Sequence, residues 1–192
     1  MLAGVAKRYA GITRWSGTFR QEGFNTTFGR TDRADGRLML QRPGRLRLDY
    51  FAGNAVSKSF IVGRSTLYVV DLENEQVIRK DPPQNLLTAV VWFQGHLSEE
   101  FSAELDRSGI YGTAVLKLTP RSASPYSHLF LVVDPQSSTV LEAIVFDTVG
   151  NRSRFWFTKQ LLPFASDHHF ELDETSPALA GYRIIDAQLT TP

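Results

Sequence analysis

In "LMLQRPGRLRLDY", residues 38–50, Leu38, Leu40 and Arg42 share one parity, as do Leu46, Leu48 and Tyr50. Each flank of Pro43-Gly44 therefore reads as a strand with one apolar face. The same period of two runs through nearly the whole chain beyond the first dozen residues. "TRWSGTFRQ" sets Trp15, Gly17 and Phe19 on one side, and "KSFIVG", "STLYVVD", "EQVIRKD", "EFSAELD", "AVLKLTP", "SHLFLVVD", "VLEAIVFD" and "RSRFWFTK" continue the pattern. Turn residues punctuate it at Pro43-Gly44, Gly63, Asp106 to Gly109, Asp134-Pro135 and Gly150-Asn151. About ten short strands at this spacing predict a large, mostly antiparallel sheet with meander connections.

A sheet of that size curls, and its concave side must be filled. The apolar phase of the strands predicts which side chains line it: Trp15, Phe19, Leu38, Leu40, Leu46, Leu48, Leu116, Leu118, Leu129, Leu131, Phe155 and Phe157. Two segments break the alternation and are available as plugs. Leu2, Val5, Ala6, Tyr9 and Ile12 form one helical stripe. "DPPQNLLTAVVWFQG" opens on Asp81 as N-cap with Pro82 in the first turn and closes at Gly95. Between Leu86 and Phe93 only Thr88 is polar, and a helix apolar on every side lies between two surfaces or sometimes exposes one. Where such plugs fit poorly or move, an apolar cavity results, suited to acyl chains.

Arg42 ends an inward row of leucines. A three-residue loop, Pro43 to Arg45, would pair Arg42 with Leu46 and keep the apolar faces aligned, with the guanidinium inside. Removing that charge from water costs several kcal/mol unless partners compensate.

The remaining features mostly exclude. The 192 residues suit one domain, 1–192, and a net charge of +1 gives no electrostatic case for nucleic acid or an anionic membrane. With no cysteine there is no disulfide, thiolate site or cysteine nucleophile. No apolar run reaches the ~20 residues of a membrane span. The N-terminus lacks the basic start and apolar core of a signal peptide. No phosphate loop, nucleophile elbow or metalloprotease motif is present, so the chain reads as a non-enzyme without metal or cofactor. "DHH" at Asp167 to His169 reads as a solvated turn, His96 as a residue following a helix stop, His128 as outward-facing, and Asp147 as a turn residue.

"WSGTFRQ", "GRLMLQRPGRLRLDY", "IVGRSTLYVVDLENEQV", "NLL" at 85–87, "LKLTP", "LFLVVD" and "FDTVGNRSRFWF" occur in the order in which similar segments occur in LolA, the periplasmic lipoprotein carrier family. Over nearly its whole length the chain resembles that family, with Arg42 and Pro43 on the two signature positions. The resemblance implies an incomplete antiparallel β-barrel with a helical lid over a hydrophobic cavity for lipoprotein acyl chains. It implies a periplasmic monomer that receives cargo from an inner-membrane ABC transporter and delivers it to an outer-membrane receptor. The lid would comprise Leu86, Leu87, Val90, Val91 and Phe93. Arg42 would be its latch, bonded to lid carbonyls while the cavity is empty. The alternative within the same fold is a lipid-sensing regulatory module acting through a protein partner. "EGFNTTFGRTDRADGR" after the first strand departs from the family pattern as a short polar approach, and the tail after Leu172 resembles it only as a closing strand.

Overall fold

The structure, a computed structural model, describes residues 1–63, 65–82, 90–94, 97–108, 112–161 and 166–187. After helix α1 (Leu2–Ala10) come strands β1 (Arg14–Asn25), β2 (Arg30–Gln41), β3 (Arg45–Ala52), β4 (Ala55–Val62), β5 (Leu67–Asp71) and β6 (Gln76–Lys80). Two single-turn helices, α2 (Val91–Gln94) and α3 (Leu97–Glu100), precede β7 (Phe101–Ser108), β8 (Ala114–Pro120), β9 (Tyr126–Val133), β10 (Val140–Asp147), β11 (Arg152–Leu161) and β12 (Arg183–Asp186). Among the described residues the twelve strands form one open sheet, ordered β12-β6-β5-β4-β3-β2-β1-β11-β10-β9-β8-β7. Every pair is antiparallel except β12 with β6, a parallel closing strand that alternation does not reveal.

One face of the sheet encloses the main core. Side chains from β1–β5, β7–β11 and all three helices belong to a single buried cluster. Strands spaced about 4.8 Å apart would spread such residues over tens of ångströms in a flat sheet, so this face must wrap inward. Helix α1 enters it with Val5 and Tyr9 fully buried, and the Tyr9 hydroxyl accepts a hydrogen bond from the Val140 amide at 3.1 Å. At Gly36 a Cβ would stand 2.5 Å from the Phe19 ring, so glycine lets that ring lie across β2.

The opposite face carries a second, smaller core. Ile61, Val70 and Val77 are buried there beneath Tyr68, Leu172, Leu179 and Tyr182, so the C-terminal segment crosses the outside of β3–β6 before β12 pairs. Beneath the same segment the fully buried Asp49 accepts hydrogen bonds from Arg37 Nη2 (2.8 Å), Arg47 Nε (2.8 Å) and Ser59 Oγ (2.7 Å). Arg47 Nη1 also donates to the His169 carbonyl at 3.3 Å. "DHH" is a turn with Asp167 and His168 exposed, as expected. It is a 3-10 turn, Asp167–Phe170, capped by Ser166, with Phe170 buried and Asp167 paired to Arg14 (2.5 Å) and Arg45 (3.2 Å).

Three expectations need correction. The β2–β3 loop is Arg42-Pro43-Gly44, one residue earlier than predicted. Leu40 faces Leu46 and Gln41 faces Arg45, so Arg42 lies in the turn instead of opposite Leu46. Strand β7 runs through Asp106 to Ser108, with a bulge between Leu105 and Arg107 where a turn was expected. The polar approach "EGFNTTFGRTDRADGR" is the far half of a long hairpin, paired from Arg14↔Gln41 to Asn25↔Arg30.

Candidate functional site

All twelve side chains predicted to line the inner face lie in its buried cluster. They are not left around an open space: α1 and residues 90–93 occupy it. Trp92 is fully buried, its ring 4.5 Å from Tyr9, 5.3 Å from Trp15 and 5.4 Å from Phe157, each at a steep interplanar angle. Such tilted arrangements are favourable for rings with negative faces and positive edges. Phe93, Val90 and Val91 are buried beside it, whereas Leu86 and Leu87 lie outside the described residues. Among the described residues the buried Trp15 indole N–H has no hydrogen-bond partner, an unusual cost inside a core.

Arg42 stands at the mouth of this packing. Its Nε donates to the Phe93 carbonyl at 2.7 Å, Nη2 donates to the same oxygen, and Nη1 donates to the Ala10 carbonyl at 3.2 Å. The guanidinium carbon lies 4.9 Å from the centroid of the Phe93 ring, within cation–π range. Both carbonyls belong to helix C-terminal turns, where unpaired oxygens and the negative end of the helix favour a cation. One side chain thus ties α1 and α2 to the β2–β3 turn. Burial lowers the Arg42 pKa from its ordinary value, but an arginine remains charged at neutral pH.

Toward the far end of β1 the inner face is closed by aromatic contacts. Phe19 packs against Tyr50 (5.4 Å) and Phe155 (5.8 Å), and Tyr50 against Phe60 (5.8 Å). The Tyr50 hydroxyl donates to Gln21 Oε1 at 2.7 Å, and burial pushes its pKa up to about 12. Phe60 belongs to the apolar face by parity. Gln21 and Tyr50 carried no signal of pairing, since their contact depends on the register of β1 and β3 through β2. Two recesses open on the molecule. One, of about 610 Å³, lies between the start of α1 and the β7 edge and includes Leu116. The other, of about 670 Å³, lies beside Arg20, Asp35, Phe51 and Trp156.

The residues set aside as structural behave in several ways. His128 stacks on Phe146 at 4.6 Å on the outer face, and burial followed by the charge of Lys117 lowers its pKa. Asp147 accepts the amides of Val149 (3.0 Å) and Asn151 (2.8 Å) and the Asn151 side chain, as a turn residue does. His96 lies outside the described residues. Among the described residues no group of three or more His, Asp or Glu is placed to hold a metal ion. Among them, too, no helix is long and apolar enough to cross a membrane.

The family model described as "Outer membrane lipoprotein carrier protein LolA" matches residues 10–173. The chain belongs to the LolA family. The matched span contains Arg42, the plug residues 90–93 and β1 through β11, so all but Tyr9 of the side chains just described are LolA positions. Most of α1 and the whole of β12 lie outside it. Two solved structures share the overall fold. An uncharacterized conserved protein from Thermus thermophilus is similar at 10% identity and TM-score 0.58, over 97% of this chain and 96% of that one. A DUF1329 family protein from Desulfovibrio piger is similar at 12% identity and TM-score 0.51, over 88% of this chain and 96% of that one. A LolA superfamily protein from Nitrosomonas europaea shares 13% identity at TM-score 0.49, over 89% of this chain and 96% of that one. No curated protein matches the chain significantly.

Proposed function

We propose that this chain is a periplasmic lipoprotein carrier, here in its closed and empty state. Acyl chains of a lipoprotein would take the place of Trp92, Phe93 and Val91 against the inner rows of the sheet. One observation carries the reading: a single guanidinium holds both helical plugs in an otherwise apolar trough, through bonds to two backbone carbonyls. Side chains packed in this way are an ordinary core when fixed. When they are tied by a polar clasp at the rim, they are a removable one. Cargo would arrive from an inner-membrane transporter and leave for an outer-membrane receptor, with the protein acting as a monomer and performing no chemistry.

Acyl ligands should bind by burial alone, each methylene adding about 0.8 kcal/mol, so affinity should climb steeply with chain length until the trough is full. Titration with fatty acids of increasing length measures this, and a flat series removes the carrier reading. Lipoproteins that co-purify from a Gram-negative periplasm distinguish a carrier from the lipid-sensing alternative, which would retain free lipid and a regulatory protein. Val91→Glu puts a charge where Val91 is now buried. In a displaceable plug it should weaken ligand binding with little change in melting temperature. In a fixed core it would lower stability by several kcal/mol, on the order expected for an unpaired buried charge.

A further inference from the structure

We propose that the end of the β1–β2 hairpin is a membrane-docking tip, whose Phe28, with Val149 beside it, enters the headgroup–acyl boundary of a phospholipid bilayer. The hairpin projects. Strand β3 pairs with β2 only over Gly36–Gln41, while β1 pairs with β2 out to Asn25↔Arg30. Residues 30–35 therefore lie beyond the last β2–β3 pair, about 20 Å of strand at some 3.3 Å per residue, while β11 flanks β1 as far as Phe24↔Arg152. At its end Phe28 is 81% exposed, and Val149, in the neighbouring β10–β11 turn, is 70% exposed. Isolated exposed apolar residues are common on protein surfaces. Here two of them share one end of the sheet on loops that are bonded together.

The bonding makes the tip rigid. The Thr26 amide donates to Asn151 Oδ1 at 2.9 Å, and the Thr26 hydroxyl donates to the Gly150 carbonyl at 2.6 Å. Within each loop, the Phe28 amide donates to Asn25 Oδ1 at 3.1 Å and the Val149 amide to Asp147 Oδ1 at 3.0 Å. Gly29 and Gly150 take the left-handed conformation, with φ of +59° and +90°, that such tight turns require. These backbone groups are satisfied internally, so entering an apolar medium neither strips them of partners nor orders a loose loop.

A bilayer fits this shape better than a protein does. The tip is a protrusion, and a protein partner would need a matching pocket, whereas lipid tails yield. Arg30 and Arg33 sit behind it with side chains 73% and 74% exposed, paired among the described residues to the exposed Asp32 and the mostly buried Glu22. The exposed Arg30–Asp32 pair is weak enough to exchange for a lipid phosphate, and long arginine stems let the charge stay at headgroup level. The binding would be shallow and reversible.

This site is separate from the acyl trough, and vesicle binding tests it without cargo. Flotation of the whole protein with phosphatidylethanolamine–phosphatidylglycerol vesicles should recover a bound fraction. Phe28→Ser should lower the partition coefficient about tenfold, and Phe28→Ser with Val149→Ser further. Because both side chains are exposed, melting temperature and fatty-acid affinity should be unchanged in the same variants. Wild-type protein that does not float, or a double variant that floats as well as wild type, overturns the proposal. So does a variant that floats normally yet fails to pass cargo to an acceptor protein, which would make the tip a protein-docking knob.

Discussion

Arg42→Leu should bind acyl ligands about a hundredfold more tightly than the parent protein and hand them over more slowly. In the empty state the guanidinium makes bonds to two carbonyls and lies against the Phe93 ring. Hydrogen bonds to a charged group contribute about 1.5–3 kcal/mol each, the lower figure suiting a side chain that keeps some water. Acyl chains that displace α2 must break those bonds, so the contribution of roughly 3 kcal/mol to the closed state is subtracted from ligand affinity. At about 1.4 kcal/mol per factor of ten, removing it gives about two orders of magnitude. Leucine also adds apolar surface at the rim. The empty variant should melt lower, because the Phe93 and Ala10 carbonyls lose their donor. Stability and affinity thus move in opposite directions, which only a group acting on one of two states produces. Isothermal titration with one fatty acid and a melting curve for each protein decide it. If affinity falls together with stability, Arg42 is a structural clasp and not a latch.

The inner rows were legible because alternation fixes which side of a strand a residue occupies, whatever its partner. Leu38 and Leu40, or Leu129 and Leu131, needed no tertiary information. Alternation is blind to shifts by two in pairing, however. Loops at 43–45 and 42–44 both align the leucines, and only the structure shows that Arg42 is in the turn. The outer core was the less legible part. Parity sends Asp49, Ile61, Val70 and Val77 away from the main core, and they are buried because the aperiodic segment "ELDETSPALAGYRIID" returns across them. Strands apolar on both phases, such as "SFIV" and "LYVV", carry a signal of two-sided burial. Nothing in the covering segment says where it goes, since a strand of four residues joining in parallel leaves almost no pattern. The plug residues were visible as an apolar run. That Trp92 would meet Tyr9, Trp15 and Phe157 was not, because these contacts join elements distant in sequence.

The same outer core sets the second large effect. Asp49→Asn should destabilise the protein by about 3 kcal/mol and loosen the C-terminal segment. Asp49 is fully buried, and its two oxygens are divided among Arg37, Arg47 and Ser59. An asparagine keeps the shape but turns an N–H₂ toward one of the arginines and removes the charge that compensates both. Breaking a buried pair costs roughly 3–5 kcal/mol, and the low end applies because Arg37 and Arg47 are partly in water. In a chain of this length each kcal/mol shifts the melting temperature by about 2–4 °C, so a fall of roughly 6–12 °C is expected. The loss should concentrate where Arg47 holds the His169 carbonyl, and be read as faster hydrogen exchange at residues 166–170. The wild type should show the same loss in acid. Burial alone would raise the Asp49 pKa, but the bonds from Arg37, Ser59 and Arg47 outweigh it and hold the carboxyl below its ordinary range. A depressed native pKa contributes stability that is complete above the unfolded value, near about 4, and disappears as pH falls through the lower folded value. Stability should therefore be level above about pH 5 and decline below about pH 4, with a shallower decline in Asp49→Asn. A variant as stable as wild type with an unchanged acid limb would show that the carboxylate does not anchor the segment.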